Sequence, residues 1–351
     1  MFISGLGTAA PANRYTKADC LKAFQQSDWF HRLDTRSRYI AQSVLMRDNG
    51  MEARRLAVDS LQEAFAIDPD TLARRFLMHA PQLAADAATR AMKDAGIEPS
   101  DVDAVIVSTC TGYLCPGLSG YVIERLNLRA DVQAFDLVGQ GCAAALPNLA
   151  LAHALIGSGA SDRVISVCVE VSSSAMYLDN DPGVLISACL FGDGAGAALL
   201  SREHLGSRRI RWKTCASFIE PTQRDALKFE QRGGMLRNVL TRAVPALAAE
   251  HGIGVLQKVL RSSNLNIDDV STWILHAGGR DVLQAIEKRF ALAPSDLRYS
   301  AAMLREYGNL SSAFVYFVLQ TALADKAPGG VWWLSSFGAG FSCHGALLEV
   351  A

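Results

Sequence analysis

Cys142, His276 and Asn309 offer a nucleophile, a base and an oxyanion donor, and each has a glycine within two positions. Cys142 follows Gly139-Gln140-Gly141 and precedes a run of small and aliphatic residues from Ala143 to Ile156. The stretch reads as a buried strand through Phe135-Asp136-Leu137, a tight turn, and a helix whose first turn carries the cysteine. That helix has almost no polar face and belongs in the centre of the molecule. A thiol at its N-terminus feels the positive end of the helix dipole, which favours thiolate. The glycines let another molecule approach the backbone. His276 stands in Trp273-Ile274-Leu275-His276-Ala277-Gly278-Gly279, and Asn309 in Tyr307-Gly308-Asn309-Leu310-Ser311-Ser312. Taken singly, each residue has a plainer reading: a small core thiol, a satisfied core histidine, a helix-capping asparagine.

An internal duplication favours the chemical reading. Asp101 to Val107 resembles Asp269 to Leu275, and each follows a helix and a short polar turn. Each leads through a glycine-containing loop to a helix ending in Arg125-Leu126-Asn127-Leu128 or Arg289-Phe290-Ala291-Leu292. Thirty-three residues separate Thr109 from Cys142, and His276 from Asn309. A duplicated α/β unit, with residues 1–205 carrying the cysteine and 206–351 carrying the histidine and asparagine, brings all three to one crevice at the strand ends. The polar stretch Ser201 to Arg211 reads as the crossover.

The elements that must position these residues follow from pattern. Buried strands are expected over Asp101–Thr109 and Asp162–Glu170, and helices over Met51–Ile67, Phe76–Ala95 and Leu118–Leu126, with Gly96 as a helix stop. Phe191-Gly192-Asp193-Gly194-Ala195 looks like a dinucleotide fingerprint, but an apolar strand follows it instead of a helix, so no such cofactor is expected. Half the residues are apolar and a fifth charged, as in a well-buried globular protein. The net charge of -1 argues against nucleic acid as a partner. No apolar run is long enough to span a membrane, and the start, Met1 to Gly7, reads as a first strand and turn. Eight cysteines without a CxxC pair read as reduced thiols in a cytoplasm. The N-terminal arginines 32, 36, 38 and 47 form either a solvated face or a phosphate clamp.

The segments around Cys142, His276 and Asn309, with Phe191-Gly192-Asp193-Gly194 and Ser336-Phe337-Gly338-Ala339-Gly340, resemble the thiolase-fold condensing enzymes over essentially the whole chain. They are most similar to the type III polyketide synthases, the chalcone synthase-like family; Gly278-Gly279 after the histidine favours these over ketoacyl synthase III. The resemblance implies a duplicated thiolase fold in αβαβα layers, a cytoplasmic homodimer, and no metal or redox cofactor. It implies that malonyl-CoA is condensed, with loss of CO₂, onto an acyl group from acyl-CoA or acyl-ACP held on Cys142. His276 then stabilises the thiolate, and His276 with Asn309 stabilises the enolate. Gly338 and Ala339 correspond to a loop shaping the pantetheine tunnel, and Arg32 to a CoA-phosphate contact. Cys110, Thr111, Ala175 and Ser311 correspond to cavity positions, and Cys115 to a residue that reaches across the dimer. Asn238 stands where plant relatives have a gating phenylalanine, so aromatic gating is in doubt. The small Cys110 and Ala175 suggest a medium or long fatty acyl starter and an alkylpyrone or alkylresorcinol product. A ketoacyl synthase III-like single condensation and a non-catalytic partner subunit are the alternatives.

Overall fold

A computed structural model describes all 351 residues. Its first strand, β1 (Phe2–Ala9), carries Gly5 and Gly7 against a helix rich in alanine, α4 (Pro69–Ala95). Ala80, Ala84, Ala87, Ala88 and Ala91 of that helix are fully buried. A Cβ on Gly7 would lie 2.1 Å from the carbonyl oxygen of Ala87, and one on Gly5 2.1 Å from that of Ala91. Small residues on both sides are therefore what lets strand and helix touch. Asp68 caps the helix through the amide of Thr71, and Gly96 ends it at φ 69°.

Before α4 lie β2 (Arg14–Thr16), α1 (Lys17–Gln26), α2 (Asp28–Arg32), α3 (Thr35–Met46) and β3 (Ala53–Arg55). The helix expected over residues 51–67 is absent: β3 pairs with β2, and only a short 3₁₀ turn forms at Glu63–Phe65. The backbone is claimed by distant partners, since the amide of Ala57 donates to Asp193 and the amide of Asp193 to the carbonyl of Arg55. The spacing of Met51, Leu56, Val58 and Leu61 reflects burial of an extended segment, not a helical face.

The first half continues with β4 (Ala104–Ser108), α5 (Leu118–Leu126), β5 (Gln133–Leu137), α6 (Ala145–Ser158), β6 (Arg163–Glu170), α7 (Pro182–Leu190) and β7 (Gly194–Ser201). The second holds β8 (Ile210–Ile219), a hairpin of β9 (Leu227–Arg232) and β10 (Met235–Leu240), α8 (Val244–Ser262), β11 (Val270–Leu275), α9 (Arg280–Phe290), α10 (Arg298–Tyr307), α11 (Phe314–Ala324), β12 (Gly330–Gly338) and β13 (Ser342–Val350). Nine strands form one sheet in the order β11-β12-β13-β8-β1-β7-β6-β4-β5. β1 and β8 meet antiparallel at the seam, and the strand order on one side mirrors that on the other except for the outermost β5. Helices α6 and α11 pack on strands from both sides of this seam, while α4 covers one outer flank and α8 the other. This is the duplicated α/β architecture with a central helical layer.

The strand leading to Cys142 differs from expectation. β5 is the edge of the sheet, and Gln133, Ala134 and Asp136 are exposed rather than buried. Its apolar residues Phe135 and Leu137 cover the core from one side only. Because backbone lies on the far side of the Gly7 contact, Gly7→Val should lower unfolding free energy by at least about 2 kcal/mol. Urea denaturation of the variant, or its loss from the soluble fraction, measures this.

Candidate active site

The nucleophile turn is a single 3₁₀ turn, Gly141–Ala143, that runs directly into α6. Its counterpart in the second half is the 3₁₀ turn Ser311–Ala313 before α11. Gly141 at φ 54° and Ser311 at φ 51° occupy the same left-handed position. The pseudo-symmetry mate of Cys142 is thus Ser312, and Asn309 matches Gly139, which corrects the equal spacing counted from sequence. The second half carries three more residues between its strand end and its turn. Ser311 tolerates a conformation that favours glycine because its amide is held by Asn309 Oδ1 at 2.8 Å and its side chain by three polar neighbours.

Cys142, His276, Asn309 and Gly278 line one cleft of about 830 Å³. Cys142 is 8 % exposed, and the hydroxyl of Ser311 donates to its Sγ at 3.2 Å. Burial pushes its thiol up to about 12; the Ser311 hydrogen bond opposes this and the Glu170 charge adds to it. His276 continues β11, its amide donating to the carbonyl of Ser335 at 3.0 Å. Its ring packs against Phe337 at 4.9 Å and edge-on to Phe314 at 5.5 Å. Both ring nitrogens lack a protein hydrogen-bond partner, and burial pulls the imidazolium pKa down to about 3. Burial thus works against the charged form of both groups in the unliganded cleft, and opposes the preference for thiolate that the helix terminus gives.

Asn309 is fixed from four directions. Its amide donates to the carbonyl of Leu190 at 2.9 Å, its carbonyl accepts from Gly192 at 3.0 Å, Oδ1 accepts from Ser311, and Nδ2 donates to the carbonyl of Gly278 at 3.3 Å. The Phe191-Gly192-Asp193-Gly194 motif thus holds the asparagine rather than a nucleotide. A Cβ on Gly192 would meet the carbonyl oxygen of Tyr307 at 2.3 Å, which is why glycine stands there.

Glu170, noted from sequence only as a strand end, is a buried carboxylate beside the nucleophile. It accepts from the amide of Cys110 at 3.1 Å, from Thr111 Oγ1 at 3.0 Å, from Ser311 Oγ at 3.2 Å, and from Ser312 Oγ. Burial raises its pKa and the hydroxyl hydrogen bonds oppose that rise. Ser311 therefore lies between the Cys142 sulfur and an acid. The one signal in the sequence was an acidic residue closing an otherwise apolar strand.

The remaining expected residues divide. Cys110, Thr111 and Ser311 cluster on Glu170. Thr111, Ala175 and Asn238 line a second cavity of about 30 Å³, which shares Ser187 and Phe191 with the cleft. Asn238 there accepts from the hydroxyl of Ser187 at 2.9 Å. Gly338 and Ala339 are absent from the cleft lining and pack on the nucleophile turn: a Cβ on Gly338 would lie 2.6 Å from the amide nitrogen of Ala143, and the Ala339 nitrogen is 3.0 Å from a Cβ built on Gly141. They brace the turn that carries Cys142. Arg32 is likewise outside the cleft, exposed and stacked over Trp29 at 5.2 Å. The cations that do line the cleft are Arg47, Arg242 and Arg280, the last paired with Asp48 at 3.3 Å.

Residues 10–219 match the profile described as FAE1/type III polyketide synthase-like protein, and residues 214–349 match the C-terminal domain of chalcone and stilbene synthases. A 1,3,6,8-tetrahydroxynaphthalene synthase of Streptomyces peucetius subsp. caesius is 28 % identical over 360 residues, covering 99 % of this chain and 92 % of the relative. A 3,5-dihydroxyphenylacetyl-CoA synthase of Amycolatopsis balhimycina is 30 % identical over 280 residues, covering 76 % and 74 %. The crystal structure of tetrahydroxynaphthalene synthase from Streptomyces coelicolor A3(2) has the same fold, with a TM-score of 0.89 at 22 % identity over 99 % of both chains. PKS-I of the brown alga Ectocarpus siliculosus superimposes with a TM-score of 0.89 at 24 % identity, over 99 % of this chain and 98 % of the other. Together with the duplicated fold, these matches make the chain a member of the type III polyketide synthases, acyltransferases of the thiolase superfamily.

Proposed function

We propose that the chain extends an acyl group held as a thioester on Cys142 by repeated decarboxylative condensation with malonyl-CoA. The observation that carries this reading is the meeting of Cys142, His276 and Asn309 on one cleft, with the asparagine held by hydrogen bonds through its side chain and backbone. A neutral imidazole takes the Cys142 proton as the sulfur attacks the starter thioester, and passes it to the departing CoA thiolate. His276 and Asn309 then donate to the malonyl thioester oxygen and stabilise the enolate that forms as CO₂ leaves. Arg47, Arg242 and Arg280 are the groups for the CoA phosphates, in place of Arg32. The chemistry draws on CoA or ACP thioesters alone, with no further cofactor. Exposed Tyr113 and Val138 and the open edge of β5 support a homodimer.

Two starter classes are in play. The fatty acyl starter expected from the small Cys110 and Ala175 needs long apolar space, but the cavity beside Ala175 measures about 30 Å³ and is partly polar, with Thr111 and Asn238 in its wall. That favours a short acyl starter and a compact product. A panel of acyl-CoAs from acetyl to palmitoyl with malonyl-CoA, read by mass spectrometry beside Cys142→Ala, decides. Masses of two or more extensions from short starters, absent in the variant, are expected. Fatty triketides and tetraketides would restore the longer class, and a single extension would assign a ketoacyl synthase-like reaction.

Two further outcomes follow from the site. Asn309→Ala should slow extension by roughly 10²–10³-fold while stoichiometric acylation of Cys142 survives, as loss of one oxyanion donor does. Because burial places the Cys142 pKa near 12, its alkylation by iodoacetamide should rise about tenfold per pH unit from pH 7 to 10 without a plateau. A plateau near pH 6 would mean a resting thiolate.

A further inference from the structure

The two strands β9 and β10 pair only with each other, and no backbone hydrogen bond joins them to the nine-stranded sheet. Side-chain contacts therefore decide where the hairpin stands. Alternate residues of a strand face opposite ways. On one face the register partners Leu227 and Leu240 line the cleft, and the partners Phe229 and Asn238 line the cavity beside Ala175. The next pair, Glu230 and Arg237, points away from both. Arg237 is only 8 % exposed, and each of its three nitrogens holds a different carboxylate. Nε meets Asp179 at 2.9 Å, Nη1 meets Glu230 at 3.0 Å, and Nη2 meets Asp181 at 3.2 Å. Glu230 belongs to the hairpin, whereas Asp179 and Asp181 belong to the segment that enters α7. The other oxygen of Asp181 caps α7, accepting from the amides of Gly183 and Val184 at 2.8 and 3.3 Å.

Helix α7 supplies the facing wall of the same cavity through Val184, Ser187 and Ala188. The cavity thus lies between two elements that one arginine joins. Two other contacts hold the walls together: the hydroxyl of Ser187 donates to Asn238 at 2.9 Å, and Gly183 lies so close to β10 that a Cβ on it would stand 2.2 Å from the carbonyl oxygen of Leu240. Gly183 fixes the end of the hairpin nearest the cleft, and Arg237 fixes it beside the cavity. We propose that Arg237 is a positioning residue that sets the width of the acyl cavity, and through it the size of the starter and the number of extensions. The inference rests on the reading given above, in which that cavity takes the acyl group. Arg237, Asp179 and Glu230 line neither the cavity nor the cleft, so the arginine acts without touching the substrate. Without the guanidinium, three carboxylates are left facing one another, and their repulsion pushes the hairpin off α7, carrying Phe229 and Asn238 outward. A lysine keeps the charge but lacks the planar fork that reaches three acids at once.

The test compares Arg237→Met, Arg237→Lys and Glu230→Gln with the wild type, using acetyl-, hexanoyl- and decanoyl-CoA starters. Product masses, starter kinetics and CO₂ release from malonyl-CoA are measured for each. Arg237→Met should raise KM for the acetyl starter about tenfold while the kcat of CO₂ release stays within about twofold of wild type. It should also favour the longer starters over acetyl by about tenfold more than the wild type does, and add at least one extension to the main product. Arg237→Lys should return most of the wild-type preference. Glu230→Gln, which removes one partner of the three, should shift preference the same way by about threefold. Wild-type preference and product masses in both Arg237→Met and Glu230→Gln would overturn the proposal. So would an equal loss of CO₂ release and extension with every starter in Arg237→Met, beside a Glu230→Gln enzyme identical to wild type. Should Arg237→Met fail to accumulate as soluble protein, the shift in Glu230→Gln, or its absence, decides. Failure of the wild type to release CO₂ from malonyl-CoA would instead remove the condensation reading.

Discussion

Desolvation of the Cys142–His276 pair is the constraint on which the rest of the site depends. A thiolate and an imidazolium each lose hydration on burial, and burial is the largest influence on both groups here, raising the thiol and lowering the imidazolium. The polar groups around them are the ones that can oppose that cost. Ser311 offers a hydrogen bond to the sulfur, Asn309 and His276 face the same cleft, and the arginines stand at its wall.

The fold supplies the dryness. α6 and α11 are buried between strands of both halves, so the turns at their N-termini, which carry Cys142 and Ser311–Ser312, are largely withdrawn from solvent, Cys142 meeting it only through the cleft. Close packing holds those turns in place: Gly338 of β12 rests on the backbone of Ala143, and Ser336 ties to the same residue. A sheet running across both halves then places the histidine strand and the nucleophile turn in one rigid body. Rigidity of this kind keeps donors aimed at a transition state instead of reorganising toward it.

Duplication explains the economy of the arrangement and also its limits. Both halves present a left-handed residue, a 3₁₀ turn and an apolar helix. The first uses glycine at the left-handed position and a cysteine next to it; the second uses Ser311 and Ser312, whose hydroxyls both reach Glu170. The symmetry is one of backbone, while the chemistry has diverged onto different offsets from the same turn. That is why equal counting from strand end to site residue set Cys142 against Asn309, when its counterpart is Ser312.

Local pattern was enough for the sequence to determine the strands β4 and β6, the helix α5 and the stop at Gly96, and to single out Cys142, His276 and Asn309, which the structure brings to one cleft. Those features depend on side-chain periodicity, turn chemistry and residue type within a few positions of one another. Only the tertiary structure decided that residues 51–67 are extended, because their hydrogen-bond partners lie around Asp193, more than a hundred residues away. It also decided which arginines face the cleft, that Glu170 and Ser311 belong beside the thiol, and that β5 is an edge. The burial of Cys142 and His276 belongs in the same class. Charge and exposure are set by what packs against a residue from elsewhere in the chain, and no local motif carries that information.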